Sequence, residues 1–185
     1  MNSHLLILPD GLPVPADDGL AAHLTGMQLP DILLEATNGL FINLADFKRS
    51  VVIYVYPLTG QPNVALPSGW DEIPGARGCT PQACDFSNHY QTLNALDAEV
   101  FGLSTQVSAY QLEFKNRLHL PFDLLSDDTL KLKQSLGLPT FSVDGMTLYK
   151  RLTLVAKNQQ IEKVFYPVFP PNEHASQVIH WLQNN

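Results

Sequence analysis

The sequence predicts an α/β domain with a mixed central sheet flanked by helices and an N-terminal β-hairpin. Three observations carry that reading. Strand-like and helix-like patterns alternate from residue 51 to the C-terminus, as in a layered α/β unit. Val51-Val52-Ile53-Tyr54-Val55-Tyr56 is β-branched or aromatic throughout, so it is apolar on both faces and belongs in the middle of a covered sheet. Asn38-Gly39 stands between two apolar runs, a signal for a tight hairpin turn.

The elements follow in order. Residues 1–28 carry Pro9, Gly11, Pro13, Pro15, Gly19 and Gly26 with weak periodicity, and read as an irregular N-terminal arm. That leaves 29–185 as a single domain. Asp31–Asp46 reads as the hairpin, and Pro57 ends the central strand. Residues 57–79 form a long Pro- and Gly-rich loop; loops of this length are usually functional or disordered, and Trp70 in its middle favours an ordered one.

A helix then opens, with Thr80 as its cap, Pro81 at its first position and Asp85 facing the dipole. Phe86, Tyr90, Leu93 and Leu96 form its apolar stripe. Val100–Leu103 is a strand, and Ser104 caps a helix carrying Val107, Tyr110, Phe114 and Leu118. Pro121–Leu125 is a strand, followed by a helix from Asp127 or Asp128 that stops at Gly137. Leu148–Ala156 and Ile161–Tyr166 are strands joined by a turn at 157–160. Asn172 caps a last helix with Ala175, Val178, Ile179 and Leu182 inward.

Composition narrows the function. Apolar residues make up 45% of the 185, enough for a real core, so fibrous and disordered classes are excluded. The longest apolar run has six residues, against the roughly 20 of a membrane span. The formal charge of −7 argues against nucleic acid as a partner. Residues 1–46 hold six acids and no Lys or Arg, which fits neither a secretory signal nor a mitochondrial presequence, so a cytoplasmic protein is expected.

Two cysteines are too few for a disulfide framework, and their closeness points to redox chemistry or metal binding. Cys79 stands at the predicted helix start, where unpaired N–H groups and the dipole favour a thiolate, with Arg77 two residues away. Cys84 lies five residues on. In a regular helix the two Cα atoms are about 8–9 Å apart, whereas a disulfide needs less than about 7 Å. A static disulfide is therefore not expected, and a pair that closes only during a reaction cycle fits. Two plain cysteines packed as small hydrophobes, or a metal site completed by His89, are the alternatives. The second offers three ligands where structural zinc takes four.

Tyr56-Pro57 followed by Gly78-Cys79-Thr80-Pro81-Gln82-Ala83-Cys84 resembles the peroxiredoxins, most of all the bacterioferritin-comigratory (atypical 2-Cys) type, with a second cysteine five residues after the first. Phe122-Asp123-Leu124-Leu125-Ser126-Asp127, Tyr149-Lys150-Arg151-Leu152-Thr153-Leu154-Val155, Val164-Phe165 and Val178-Ile179-His180-Trp181-Leu182 match in order. The resemblance covers residues 25–183 and implies a thioredoxin fold. It implies Cys79 as the peroxidatic cysteine, Cys84 as the resolving cysteine, and Arg151 as the arginine that polarises the peroxide.

The family's Pro-x-x-x-Thr/Ser-x-x-Cys motif is interrupted. Ala76 stands three before Cys79, Pro57 lies 22 residues upstream, and the loop 58–76 reads as an insertion. Thr59 is the best candidate for the displaced hydroxyl, with Thr80 next. The implied substrates are hydrogen peroxide and organic hydroperoxides, and the implied reductant is thioredoxin or glutaredoxin. No cofactor or metal is needed, nucleic acid and membrane have no part, and the protein is a monomer or homodimer. A redox sensor and a non-catalytic thioredoxin-fold binding module are the competing classes.

Overall fold

A computed structural model of the protein describes residues 8–185. Among the described residues, seven strands form one mixed sheet in the order β2-β1-β5-β4-β3-β8-β9. They are β1 Leu33–Ala36, β2 Phe41–Asn43, β3 Ser50–Val55, β4 Ala98–Ser104, β5 Leu124–Ser126, β8 Leu152–Lys157 and β9 Gln160–Phe165. β3, β4 and β5 run parallel to their neighbours in that group, while β1, β8 and β9 pair antiparallel. The helices are α1 Cys79–Asn88, α2 Tyr90–Ala95, α3 Ser108–Leu118, α4 Lys131–Leu136 and α5 His174–Gln183.

The two-faced apolar run sits where its composition requires. Val51, Ile53 and Val55 face a core shared with Leu24, Leu34 and Leu132. Val52 and Tyr54 face a second core built from Phe86, Leu93, Phe114 and Val178, contributed by α1, α2, α3 and α5. Each of these large side chains stabilises the fold by about 1.5–3 kcal/mol on burial. Tyr54 stacks on the Phe86 ring at 4.7 Å, which locks α1 onto the central strand.

The hairpin turns follow their residues. The N–H of Ala36 donates to Leu40 O across Asn38-Gly39. Asn158 and Gln159 both take positive φ between β8 and β9. Of the expected arm, residues 1–7 lie outside the described residues. Residues 8–28 form no helix or regular strand, yet Ala21 and Leu24 are buried in the first core and Gln28 bridges to Gln160.

Several boundaries differ from the sequence-based expectation, each for a visible reason. The helix expected as one piece from Thr80 to Leu96 breaks at His89. The ring of His89 bonds Asp85 O at 2.9 Å, the same carbonyl its own N–H reaches at 3.2 Å. Asp85 serves another helix: its carboxylate accepts the N–H of Ala175 in the first turn of α5 at 2.7 Å. Burial pushes the Asp85 carboxyl up, and that N–H opposes the shift.

Ser104 belongs to β4 and donates to Pro57 O, so Val107 occupies the cap position of α3. Asp127 caps α4 from a distance, accepting the N–H groups of Leu132 at 3.0 Å and Lys133 at 2.9 Å. The expected strand Leu148–Ala156 is two strands. β7 Met146–Tyr149 pairs with β6 Thr140–Val143 as a separate hairpin turned at Asp144-Gly145, and β8 starts after Arg151. Asn172 lies within a short 3-10 turn, and Glu173 caps α5.

Candidate active site

Cys79 is the first residue of α1, and the residue before it makes that start possible. Gly78 takes φ 107°, a backbone conformation that side chains resist. A Cβ at this position meets Pro171 Cγ at 2.5 Å and Leu8 Cδ1 at 2.9 Å. Gly78→Ala is therefore expected to lower stability by about 2–4 kcal/mol, from backbone strain and overpacking together. Urea unfolding checks this, and a change under about 0.5 kcal/mol refutes the packing argument.

Arg151 arrives from the turn between β7 and β8 and is 3% exposed. Its guanidinium donates in every direction. Nε reaches Gly75 O at 3.1 Å, and Nη2 reaches Ala76 O at 3.0 Å and Arg77 O at 3.3 Å. Nη1 donates to Gln82 Oε1. Nη2 also donates to Cys79 Sγ at 3.2 Å. Charge-assisted bonds of this kind are about twice as strong as neutral ones. The arginine therefore does two things at once. It ties down the last turn of the long loop through three carbonyls, and it presents positive charge to the sulfur.

A cavity of about 20 Å³ opens on Cys79, lined by Leu58, Trp70, Arg77, Thr80 and Pro81 among others. That volume admits about one water-sized group. Trp70 is buried and packs on Phe141, so it walls the cavity and anchors the loop together. Arg77 lines the same cavity and pairs with Asp71 at 3.1 Å.

Cys84 lies in the same helix, half-buried and free, and Cys79 is also free. Burial pushes the Cys84 thiol up, against the pull of Arg117, so it stays protonated at neutral pH. The two cysteines cannot bond while α1 remains regular, since the helix sets them about 8–9 Å apart.

Thr59 is brought elsewhere. It is fully buried, its N–H and hydroxyl both donate to Gln106 Oε1 at 2.7 and 3.0 Å, and it does not line the cavity. Thr80 does line it. The residue that sequence reasoning missed is Gln82, fully buried and holding Arg151 from α1. Its spacing was a usable signal: three residues after Cys79 places it on the same helix face. Among the described residues no group of three or more His, Cys, Asp or Glu side chains is arranged to hold a metal.

The Redoxin family model matches residues 24–179 of this chain. The chain belongs to the peroxiredoxins. It is 32% identical over 160 residues to the putative chloroplastic peroxiredoxin Q of Oryza sativa subsp. indica, covering 86% of this chain and 66% of that protein. It thus spans about two thirds of that relative's length.

Among solved structures, peroxidoxin BcpB of Mycobacterium tuberculosis superposes with a TM-score of 0.71 at 23% identity, over 86% of this chain and 96% of that one. The bacterioferritin comigratory protein of Xanthomonas campestris, described for alkyl peroxide reduction, gives 0.66 at 21% identity, over 85% and 96%. These likenesses establish the thioredoxin-like fold of this peroxiredoxin. The loop between Pro57 and Cys79 supplies the carbonyls that hold Arg151. No helix among the described residues is long and apolar enough to cross a membrane.

Proposed function

We propose that this peroxiredoxin is a thiol-dependent peroxidase that reduces hydrogen peroxide and organic hydroperoxides with Cys79, using Cys84 as an intramolecular resolving thiol. The observation that carries this is the Arg151 Nη2 bond to Cys79 Sγ, 3.2 Å long, on a sulfur that also borders a small cavity. The Cys79 thiolate attacks the distal oxygen and the O–O bond breaks. The sulfur becomes a sulfenic acid, and the leaving oxygen takes a proton to become water or an alcohol. Arg151 and the N–H groups at the start of α1 hold the oxygens as negative charge moves onto the leaving one.

The first turn of α1 then unwinds. The Cys84 thiol attacks the sulfenic sulfur, the Cys79–Cys84 disulfide forms, and water leaves. An external dithiol protein, thioredoxin or glutaredoxin, takes the disulfide by exchange and is itself oxidised. In this reading Thr59 acts on the peroxide only indirectly, because Gln106 occupies its hydroxyl. The reading places the protein in the cytoplasm, as a monomer or homodimer, with its working domain over residues 29–185 and no cofactor.

Cys84→Ser tests the cycle. The variant is expected to consume one equivalent of peroxide and stop at the sulfenic acid, which a dimedone probe labels and mass spectrometry locates on Cys79. Normal steady-state turnover of this variant with thioredoxin, thioredoxin reductase and NADPH refutes the resolving role.

A further inference from the structure

The N-terminal arm crosses the loop that serves the active site. Its inner end is fixed: Ala21 and Leu24 are buried in the first core, and the N–H of Gly26 donates to Ile161 O at 2.7 Å. The preceding residues run over 75–78, the stretch whose carbonyls at Gly75, Ala76 and Arg77 accept from Arg151. Pro15 packs on Gly75, its Cγ 3.4 Å from the place a Cβ there would take. Leu8 packs on Gly78 in the same way, its Cδ1 at 2.9 Å. The arm thus touches both ends of the four residues that seat Arg151 and lead into α1.

A latch ties this arm down. Asp18 accepts from Lys150 Nζ, and the Tyr166 hydroxyl donates to its other oxygen at 2.7 Å. These two bonds hold the Asp18 carboxyl down at about 2, so it is charged at neutral pH. Lys150 is the residue before Arg151, so the latch grips the backbone from which the arginine reaches the sulfur. Pro15, Gly75, Lys150, Arg151 and Tyr166 border one cavity of about 330 Å³. The arm is therefore not packed solidly onto the loop there, and its hold depends the more on Asp18.

We propose that residues 8–18 are a strap on the peroxidase site, latched by Asp18, that keeps residues 75–78 and the first turn of α1 in place. This rests on the peroxidase reading above and adds to it a positioning residue, Asp18, that touches neither the sulfur nor the peroxide. The two chemical steps need opposite things from this region. Attack on peroxide needs Arg151 seated on Cys79. Disulfide formation needs the first turn of α1 to open, and Leu8 against Gly78 resists that opening. The latched strap therefore favours the first step and slows the second.

Asp18→Asn and Leu8→Ala loosen the strap at its two ends. Asp18 is exposed and Leu8 half-buried, so neither change threatens the core. Hydrogen exchange on the reduced, resting protein reads the strap without any peroxide. Residues 75–84 are expected to exchange about fivefold faster in each variant, with residues 51–55 unchanged. Unchanged exchange at 75–84 overturns the proposal, and so does equal acceleration at 51–55, which marks general loosening. Stopped flow then follows a single turnover with hydrogen peroxide. Both variants should oxidise Cys79 more slowly and close the Cys79–Cys84 disulfide faster, moving the ratio of the two rate constants about tenfold. Asp18→Glu, which keeps the carboxylate, should move the ratio back toward the parent. Slowing of both steps marks a merely structural role and overturns the proposal. Absence of any Cys79–Cys84 disulfide in the parent refutes the resolving cycle instead, and the exchange result alone then decides whether the strap holds the loop.

Discussion

Cys79→Ser is expected to abolish peroxide reduction, with a loss of about four orders of magnitude or more, as when a nucleophile is removed from a preorganised site. The thiolate is the reacting species, and a serine hydroxyl does not ionise near neutral pH. The geometry separates this effect from misfolding. Serine is close in size to cysteine, and four of the five Arg151 bonds go to Gly75, Ala76, Arg77 and Gln82, none of which changes. The variant should therefore unfold within a few degrees of the parent. Peroxide consumption with dithiothreitol as reductant reads the activity, and turnover above about 1% of the parent refutes Cys79 as the site of attack.

Arg151→Met is expected to lower the second-order rate of the peroxide step by about 10²–10³, the range for removal of one preorganised donor. The arginine is buried, contacts the reacting sulfur and anchors the loop, so the substitution removes transition-state stabilisation and leaves three carbonyls and Gln82 Oε1 without their donor. Arg151→Lys separates the two roles. It keeps the positive charge but loses the planar fork, and should fall between Met and the parent. Stopped-flow oxidation of pre-reduced protein measures both, with thermal unfolding run alongside. A Met variant within twofold of the parent rate removes Arg151 from the mechanism.

How much of this was legible in the sequence depends on the range of the interactions involved. Val51–Tyr56 announced a central strand because its own residues leave no polar face, and each of positions 51–55 is at most 1% exposed. Gly137 stopped α4 as its residue type requires, with φ 66°. The hairpin at Asp144-Gly145 is equally readable from its turn residues, whereas the break between β7 and β8 at Lys150-Arg151 carries no Gly, Pro, Asn or Asp to mark it.

The sequence by itself determined the layered α/β class, the central strand, the hairpin turns and a cysteine pair spaced too widely to bond within a helix. All of these are set by neighbours along the chain, through backbone preference and side-chain periodicity. Only the tertiary structure decided what surrounds the sulfur. Arg151 reaches Cys79 across 72 residues, Gln82 meets that arginine from α1, Asp85 serves the N-terminus of α5, and the Thr59 hydroxyl goes to Gln106. Each of these depends on where α1, β8 and the loop 57–78 come to rest against one sheet. A buried donor takes whichever acceptor that packing brings within reach, because leaving it unpaired away from water costs about 1–3 kcal/mol.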